Sequence, residues 1–340
     1  MNNPNYLVQV NCLTYNHAPY IIDAMNGFCK QQTNFPFLST IFDDNSTDGE
    51  QIVIRNYLDS NFIMNDNTIE TRKETDDYVL IYTRHKTNKN CYFAVYFLKY
   101  NHYQLNKSRV PYLLPEWNDI KYIAICEGDD YWTAPYKLQK QVDYLESHPE
   151  CGLVHTKHKK YIEKTGEFKP GWAEETDFEK NLIRNRICTL TTCFRKNLWK
   201  SYNKEDFHKY KWPMGDAPLW LYIMSLSETK LLNDETGVYR ERLESASHSS
   251  NIEKNIAFLL GGYKMKNYFI KKYHKEEYQK YNAIFVIKEL KRLSYLYNQN
   301  ISFSFTSFFI KNRIWNLKLY LSTFPTRNSW LRAITIKLRR

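Results

Sequence analysis

The sequence predicts an α/β protein: a mixed sheet flanked by helices, followed by a C-terminal helical appendage. Three observations predict it. Over the first 150 residues, apolar runs of strand length alternate with segments of helical period. Those runs end in polar and acidic residues, and an open α/β sheet binds ligands at the carboxyl ends of its strands. Beyond residue 250 the composition changes. Residues 251–340 hold 18 Lys+Arg against 4 Asp+Glu, while the first 250 hold 30 against 33. The division is therefore residues 1–250 as one α/β domain and 251–340 as a basic, aromatic-rich helical region.

In order, Tyr6–Leu13 is a strand ending in Thr14-Tyr15-Asn16-His17. Pro19 suits the first turn of a helix that runs to about Gln31. Phe37–Phe42 is a second strand, followed by Asp43-Asp44-Asn45-Ser46-Thr47-Asp48-Gly49. Asp48 can cap a helix from Glu50 to about Ser60. Tyr78–Tyr82 reads as a strand, Asn88–Tyr100 as a helix, and 101–119, with Pro111 and Pro115, as a loop or insertion. Lys121–Cys126 is a strand, Lys137–Ser147 a helix and Cys151–Thr156 a strand. Leu219–Leu226 closes the series as a helix. The βαβαβ order is Rossmann-like. No GxGxxG follows the first strand, which argues against a dinucleotide cofactor.

The most informative residues are Glu127-Gly128-Asp129-Asp130, directly after the strand that ends at Cys126. Three carboxylates within four residues repel one another, and the fold gains from the crowding only if a cation or hydrogen-bond donors offset it. The cluster reads as a divalent metal site facing an anionic ligand such as a diphosphate. The alternative is a solvated acidic turn. Asp43-Asp44 is a second acidic pair at a strand end, able to accept from a base N–H or a ribose hydroxyl; turn chemistry alone is its alternative.

Composition fits a folded enzyme, with 43% apolar and 25% charged residues. The seven cysteines include no CxxC pair and read as reduced, buried thiols of a cytosolic protein. The first residues lack the basic start and apolar stretch of a signal peptide, and no run of 18 apolar residues predicts a spanning helix. Residues 301–340 contain no acid, and intersperse Phe, Trp and Leu with Lys and Arg. That is the pattern of an amphipathic segment on an anionic membrane surface. A helical cap on the core and a nucleic-acid patch are the alternatives, but no nucleic-acid motif accompanies the charge, and no nucleic-acid partner is expected.

Leu13-Thr14-Tyr15-Asn16-His17, then Asp43 through Gly49, then Glu127-Gly128-Asp129-Asp130-Tyr131-Trp132 together resemble family 2 glycosyltransferases of the GT-A fold. Lys137-Leu138-Gln139-Lys140-Gln141 resembles the bacterial branch that builds surface polysaccharides. The resemblance spans about residues 5–250. It implies inverting transfer of a sugar from a nucleotide-sugar, expected to be a UDP-sugar, with Mg²⁺ or Mn²⁺ as cofactor. It places Thr14, Tyr15, Asp43 and Asp44 at the base and ribose, and Asn16, Glu127, Gly128 and Asp130 around the donor. Asp129 is the implied metal ligand. Position 127 is Glu where many members have Asp.

Inversion needs a base to take the acceptor hydroxyl's proton. By the same resemblance that base is Asp216, in Gly215-Asp216-Ala217-Pro218 at a predicted helix N-terminus; a plain N-cap is its alternative. Arg240 and Arg242 resemble the closing segment that neutralises phosphate, and His248 a second metal ligand or a plain surface histidine. The other histidines, His17 among them, show no metal-ligand spacing. Trp132, Trp172, Trp212 and Trp220 are candidates to stack on sugar faces, with core packing as the alternative.

The functional expectation is an enzyme at the inner face of the cell membrane, cytoplasmic and peripheral, that extends a glycan or lipid-linked acceptor. Two other classes compete: a nucleotidyl-transfer enzyme of sugar activation, and a non-catalytic nucleotide-sugar-binding protein. The Gly-rich, cationic first loop suited to a triphosphate is missing, and the set of acids is complete, which disfavours each in turn.

Overall fold

The computed structural model describes residues 4–66, 71–242 and 251–296. It divides into two compact units. The first takes the chain to 177, then 186–206 and 226–242; the second takes 178–185, 207–225 and the residues after 242.

The first unit opens with β1 (Val8–Thr14), α1 (Ile21–Cys29), β2 (Phe37–Asp43), α2 (Glu50–Asn61), β3 (Thr71–Glu74), β4 (Tyr78–Arg84) and β5 (Cys91–Leu98). It continues through β6 (Tyr122–Ile125), β7 (Tyr131–Trp132), α3 (Lys137–Ser147), β8 (Cys151–Ile162) and β9 (Glu167–Pro170). In the chain, α4 (Phe178–Ile183) of the second unit precedes β10 (Cys193–Arg195) and α5 (Lys196–Lys204), and α6 (Asp216–Met224) precedes β11 (Glu228–Glu241). The second unit ends with α7 (Ile252–Lys272) and α8 (Gln279–Leu296).

All the described strands join one sheet, in the order β3-β4-β5-β2-β1-β6-β10-β8-β11-β7, with β9 beside β8. The centre, β5-β2-β1-β6, is parallel. β10 runs antiparallel to both β6 and β8, and β11 runs parallel to β8. The predicted mixed α/β class holds. The ladder β1 to β2 pairs Thr14 with Asp43, so both strands deliver their polar ends to one edge. β6 lies on the other side of β1, which makes that edge a switch point where ligands bind in open sheets.

One predicted element is corrected. Asn88–Tyr100 is no helix; its centre is β5, paired in register with β2 on one side and β4 on the other. Cys91–Leu98 is a continuous apolar run because both of its faces are covered, as β2 is buried at all seven positions. Its aromatic residues, Tyr92, Phe93, Tyr96 and Phe97, favour the strand. The 101–119 segment is irregular with two short 3₁₀ turns, at Val110–Tyr112 and Pro115–Asp119.

In the second unit α7 starts at Asn251, whose side chain accepts from the backbone N–H groups of Glu253 (2.8 Å) and Lys254 (3.2 Å). Met265, Phe269 and Ile270 on α7 and Ala283, Val286, Ile287 and Leu290 on α8 are buried. Asn282 donates to the Tyr263 carbonyl and the Asn267 amide across the pair, at 3.2 and 3.0 Å. No helix among the described residues is long and apolar enough to cross a membrane. His248 and the basic segment 301–340 lie outside the described residues.

Candidate active site

The end of β1 is fixed through a residue the sequence reading treated only as a helix start. Glu50, fully buried at the first turn of α2, accepts from the Thr14 hydroxyl. It also accepts from the His17 backbone N–H at 2.9 Å and from the Ser46 hydroxyl at 2.8 Å. Burial pushes its carboxyl above the ordinary range, and these donors pull it back. Asn16 sits at φ 56°, in the left-handed region that Asn tolerates. Its N–H donates to Ser46 Oγ (2.9 Å) and its Oδ1 accepts from the Thr47 N–H (2.8 Å). Asp48 does not occupy the cap position of α2, which is Gly49 at φ 90°; instead its carboxylate ties the Glu50 and Ala18 N–H groups together.

The two acids at the end of β2 face different partners. Asp44 is turned into the protein. It accepts from the N–H groups of His102 (2.7 Å) and Tyr103 (3.0 Å) and from Arg109 Nη2 (3.1 Å), so it anchors the 101–119 segment. Asp43 accepts from Gln51 Nε2 at 2.6 Å on Oδ2, while its buried Oδ1 has no hydrogen-bond partner. Burial raises its pKa. A buried acceptor without a donor is costly, and a ligand donor would relieve it.

The acidic loop packs against the end of β1. The Gly128 N–H donates to the Leu13 carbonyl at 3.0 Å. A Cβ at Gly128 would lie 2.1 Å from Thr14 Oγ1, so only glycine lets the two strand ends approach this closely. Asp130 is buried and accepts from the Arg240 backbone N–H at 2.8 Å. Burial first, then Asp129 and Glu127, push its carboxyl well above the usual range. Glu127 is exposed and Asp129 half-buried. Asp129 Oδ2 stands 3.3 Å from Arg242 Nη1 and 3.6 Å from His17 Nε2.

The end of β11 and the residue just after it supply the cations. Arg240 donates to the Asp129 carbonyl (2.8 Å) and to the Asp23 carboxylate, and its guanidinium lies over the rings of Tyr131 (4.6 Å) and Tyr20 (5.1 Å). Arg242 also faces Tyr20, at 5.3 Å. Burial lowers the pKa of His17; Asp129 opposes that and Arg242 reinforces it.

The structure thus gathers Thr14, Gly128, Asp129, Asp130, Arg240 and Arg242 at one strand edge, with Asn16 and Asp43 at the adjoining turns. Tyr15 is exposed beside them. Asp216 belongs to the second unit, as the first residue of α6 behind Gly215. His17, Tyr20, Asp23 and Glu50 also contact this cluster, and the sequence pattern did not assign them to it. The signal for Glu50 was an acid followed by apolar helix positions, which reads equally well as an exposed first turn.

Two of the tryptophans are corrected. Trp132 is buried and donates from Nε1 to the Leu190 carbonyl at 2.7 Å, and Trp220 is wholly buried, so neither ring offers a face to a sugar. Lys137 explains part of the Lys137–Gln141 pattern. It is buried with Nζ 4.2 Å over the Trp132 ring and 2.7 Å from Gln141 Oε1, and burial pushes its pKa down to about 8. Trp172 meets His158 and Tyr239 edge-on, and Trp212 packs with Phe207 and Tyr210 within the second unit.

No group of three or more His, Cys, Asp or Glu with metal-binding geometry occurs among the described residues. The oxygen donors at hand still fit Mg²⁺ or Mn²⁺. Such ions take one or two protein carboxylates and complete their shells with water and substrate phosphate.

No family model matches the chain. Three curated proteins, one from Mycobacterium bovis and two from strains of Mycobacterium tuberculosis, all called uncharacterized, are each 28% identical over 250 residues. The match takes in 71% of this chain and 61% of each relative, so it spans less than two thirds of their length. Solved structures with a similar course include S. aureus TarS 1–349 in complex with UDP-GlcNAc, at 14% identity over 97% of this chain and 88% of that one, with a TM-score of 0.48. Another is the mannosyltransferase PcManGT from Pyrobaculum calidifontis in complex with GDP-Man and Mn²⁺, at 14% identity over 97% and 86%, with a TM-score of 0.49.

Proposed function

We propose that this chain is a divalent-metal-dependent, inverting glycosyltransferase of the GT-A, family 2 type, which moves a sugar from a nucleotide-sugar, expected to be a UDP-sugar, to a glycan or lipid-linked acceptor of a surface polysaccharide. The observation that carries the reading is the meeting of opposite charges at the switch point. Asp129 and Glu127 offer oxygen ligands, and Arg240 and Arg242 bring two guanidiniums to the same loop. A nucleoside diphosphate with its metal needs both kinds of group.

In this reading Asp129, with Glu127 beside it, holds Mg²⁺ or Mn²⁺, which when bound stabilises charge on the leaving diphosphate. Arg242 releases Asp129 and turns to phosphate oxygen. Asp43, through its unpartnered Oδ1, takes a donor from the base or ribose, and Tyr15 lies alongside. Thr14, Asn16, Gly128, Asp44 and Asp130 set the loops that surround the donor. Asp216 takes the proton of the acceptor hydroxyl. Residues 301–340 hold the enzyme to an anionic membrane surface, and His248 is a candidate further ligand.

Incubation with a panel of nucleotide sugars and Mn²⁺, scoring free nucleoside diphosphate, tests the reading. Turnover of one donor, lost in Asp129→Ala, is the expected result. Release of pyrophosphate from a sugar phosphate and a nucleoside triphosphate would point instead to nucleotidyl transfer. Binding without turnover of any donor or acceptor would leave a binding protein.

A further inference from the structure

The histidine next to the β1 turn has an orientation that its hydrogen bonds determine. The Thr14 hydroxyl gives its single proton to Glu50, which is fully buried. The Thr14 oxygen is then only an acceptor toward its other neighbour, His17 Nδ1 at 3.2 Å. So Nδ1 carries the ring proton, and in the neutral ring Nε2 presents a lone pair. Nε2 lies near the carboxylate of Asp129, with Nε2 and Oδ2 3.6 Å apart. This is beyond hydrogen-bond reach. Two acceptors therefore stand 3.6 Å apart with no proton between them.

Such a pair matches a shared cation. Ligand atoms on an ion of this class lie roughly 3 Å apart at right angles and further apart at wider angles. The imidazole also shows the support that metal-bound histidines have: its other nitrogen donates to an oxygen, which is itself fixed by a carboxylate. The backbone of His17 is pinned by the same carboxylate, through its N–H to Glu50 Oε2 at 2.9 Å. The ring is thus held from two points before any ion arrives. Arg242, 3.3 Å from the same Asp129 oxygen, supplies the positive charge there in the absence of the ion.

We propose that His17 Nε2 and Asp129 Oδ2 together ligate the divalent cation, so that the β1 turn contributes a nitrogen ligand to a site otherwise made of oxygen. The chain Glu50–Thr14–His17 is the positioning device. The inference rests on the metal-dependent reading above for the identity of the ion, but it concerns a residue to which the acidic motif assigns no role.

The test uses the full chain with Mn²⁺ in the presence of UDP and, separately, of GDP. Bound Mn²⁺ is measured by electron paramagnetic resonance, and coupling to imidazole nitrogen by electron spin-echo modulation. The wild-type complex is expected to show nitrogen coupling. His17→Gln and His17→Ala should lose it and bind Mn²⁺ roughly tenfold or more weakly. Mn²⁺ binding that is lost in Asp129→Ala but shows no nitrogen coupling would overturn the His17 assignment and leave the metal-dependent reading standing. Nitrogen coupling that survives both His17 variants would equally overturn it, in favour of another histidine. No nucleotide-dependent Mn²⁺ binding by the wild type would sink both. The wild-type spectrum decides the nitrogen question even if a variant folds poorly.

Discussion

Gly128→Ala probes the close approach on which the acidic loop depends. The added Cβ would fall 2.1 Å from Thr14 Oγ1, 2.6 Å from Thr14 Cβ and 3.1 Å from His17 Nδ1. Thr14 has nowhere to go: it is buried, in ladder with β2, and tied to Glu50. Relief requires a movement of about 1 Å in a region packed at crystal-like density. Overpacking of this kind costs about 1–3 kcal/mol. Loss of the Thr14 hydrogen bond to a buried carboxylate adds about 1.5–3 kcal/mol. The alanine's smaller unfolded-state entropy returns about 0.4–1 kcal/mol. The expected net destabilisation is about 3 kcal/mol, roughly two decades in the folding equilibrium of the sheet unit. Urea unfolding followed by near-ultraviolet circular dichroism reads it as a lower midpoint at unchanged slope. Placed in a Thr14→Ala background, the same change should cost less, because the 2.1 Å contact is gone while the 2.6 Å contact remains. An unchanged midpoint together with unchanged nucleotide binding would refute the argument that the loop and β1 are locked together.

Asp130→Asn should stabilise the ligand-free protein. The folded pKa of Asp130 is raised, so its contribution is intact below about pH 4 and is lost as pH climbs through the raised value. Asn keeps the acceptor for the Arg240 N–H without the charge, so a gain should appear at pH 7 and vanish toward pH 4, read by thermal melting across pH. Cys29 should alkylate fastest of the described thiols. A hydrogen bond from Cys91, and further ones from His85 and Tyr57, bring its pKa down to about 6, whereas burial holds Cys12 and Cys126 well up. The iodoacetamide rate should reach half its maximum at about pH 6 and shift upward in Cys91→Ala; a midpoint near that of a free thiol would contradict this. Asp216→Asn should abolish sugar transfer while nucleoside diphosphate binding stays within about twofold, checked by calorimetry; near-normal turnover would remove it as the base. A chain ending at about residue 300 should sediment with anionic liposomes far less than the whole chain, and equal sedimentation would end the membrane-surface proposal.

Much of the architecture was legible because strand-length apolar runs and acidic turns recur in order. β1, β2 and β6 were placed from such runs, and their polar ends do meet at one edge. β5 was not legible, since a strand buried on both faces carries no alternation and Cys91–Leu98 is as apolar as a buried helix. The aromatic content was the available tie-breaker. The composition of the second unit was hidden for a different reason: segments 178–185 and 207–225 join it through contacts distant in sequence, which no local pattern encodes. Within the site, the sequence showed which acids cluster but not which way each faces. Asp43 and Asp44 are adjacent and chemically equal, yet the 101–119 segment claims only Asp44. The contacts of Glu50 and His17 were not legible because they arise from burial around Thr14.

The clasp of β11 on the acidic loop also sets an order of assembly. Among the described strands β7, which follows Asp130 directly, pairs only with β11, and the Asp130 to Arg240 bond closes over 110 residues. During synthesis the acidic loop therefore leaves the ribosome long before the strand that holds it. Until β11 emerges, three neighbouring carboxylates have neither guanidinium beside them, and the entropy of closing that long loop is still unpaid. A chain interrupted before Glu228 would carry every acidic residue of the motif without the strand and the guanidiniums that hold the loop. The last of the described strands is the one that completes the first unit.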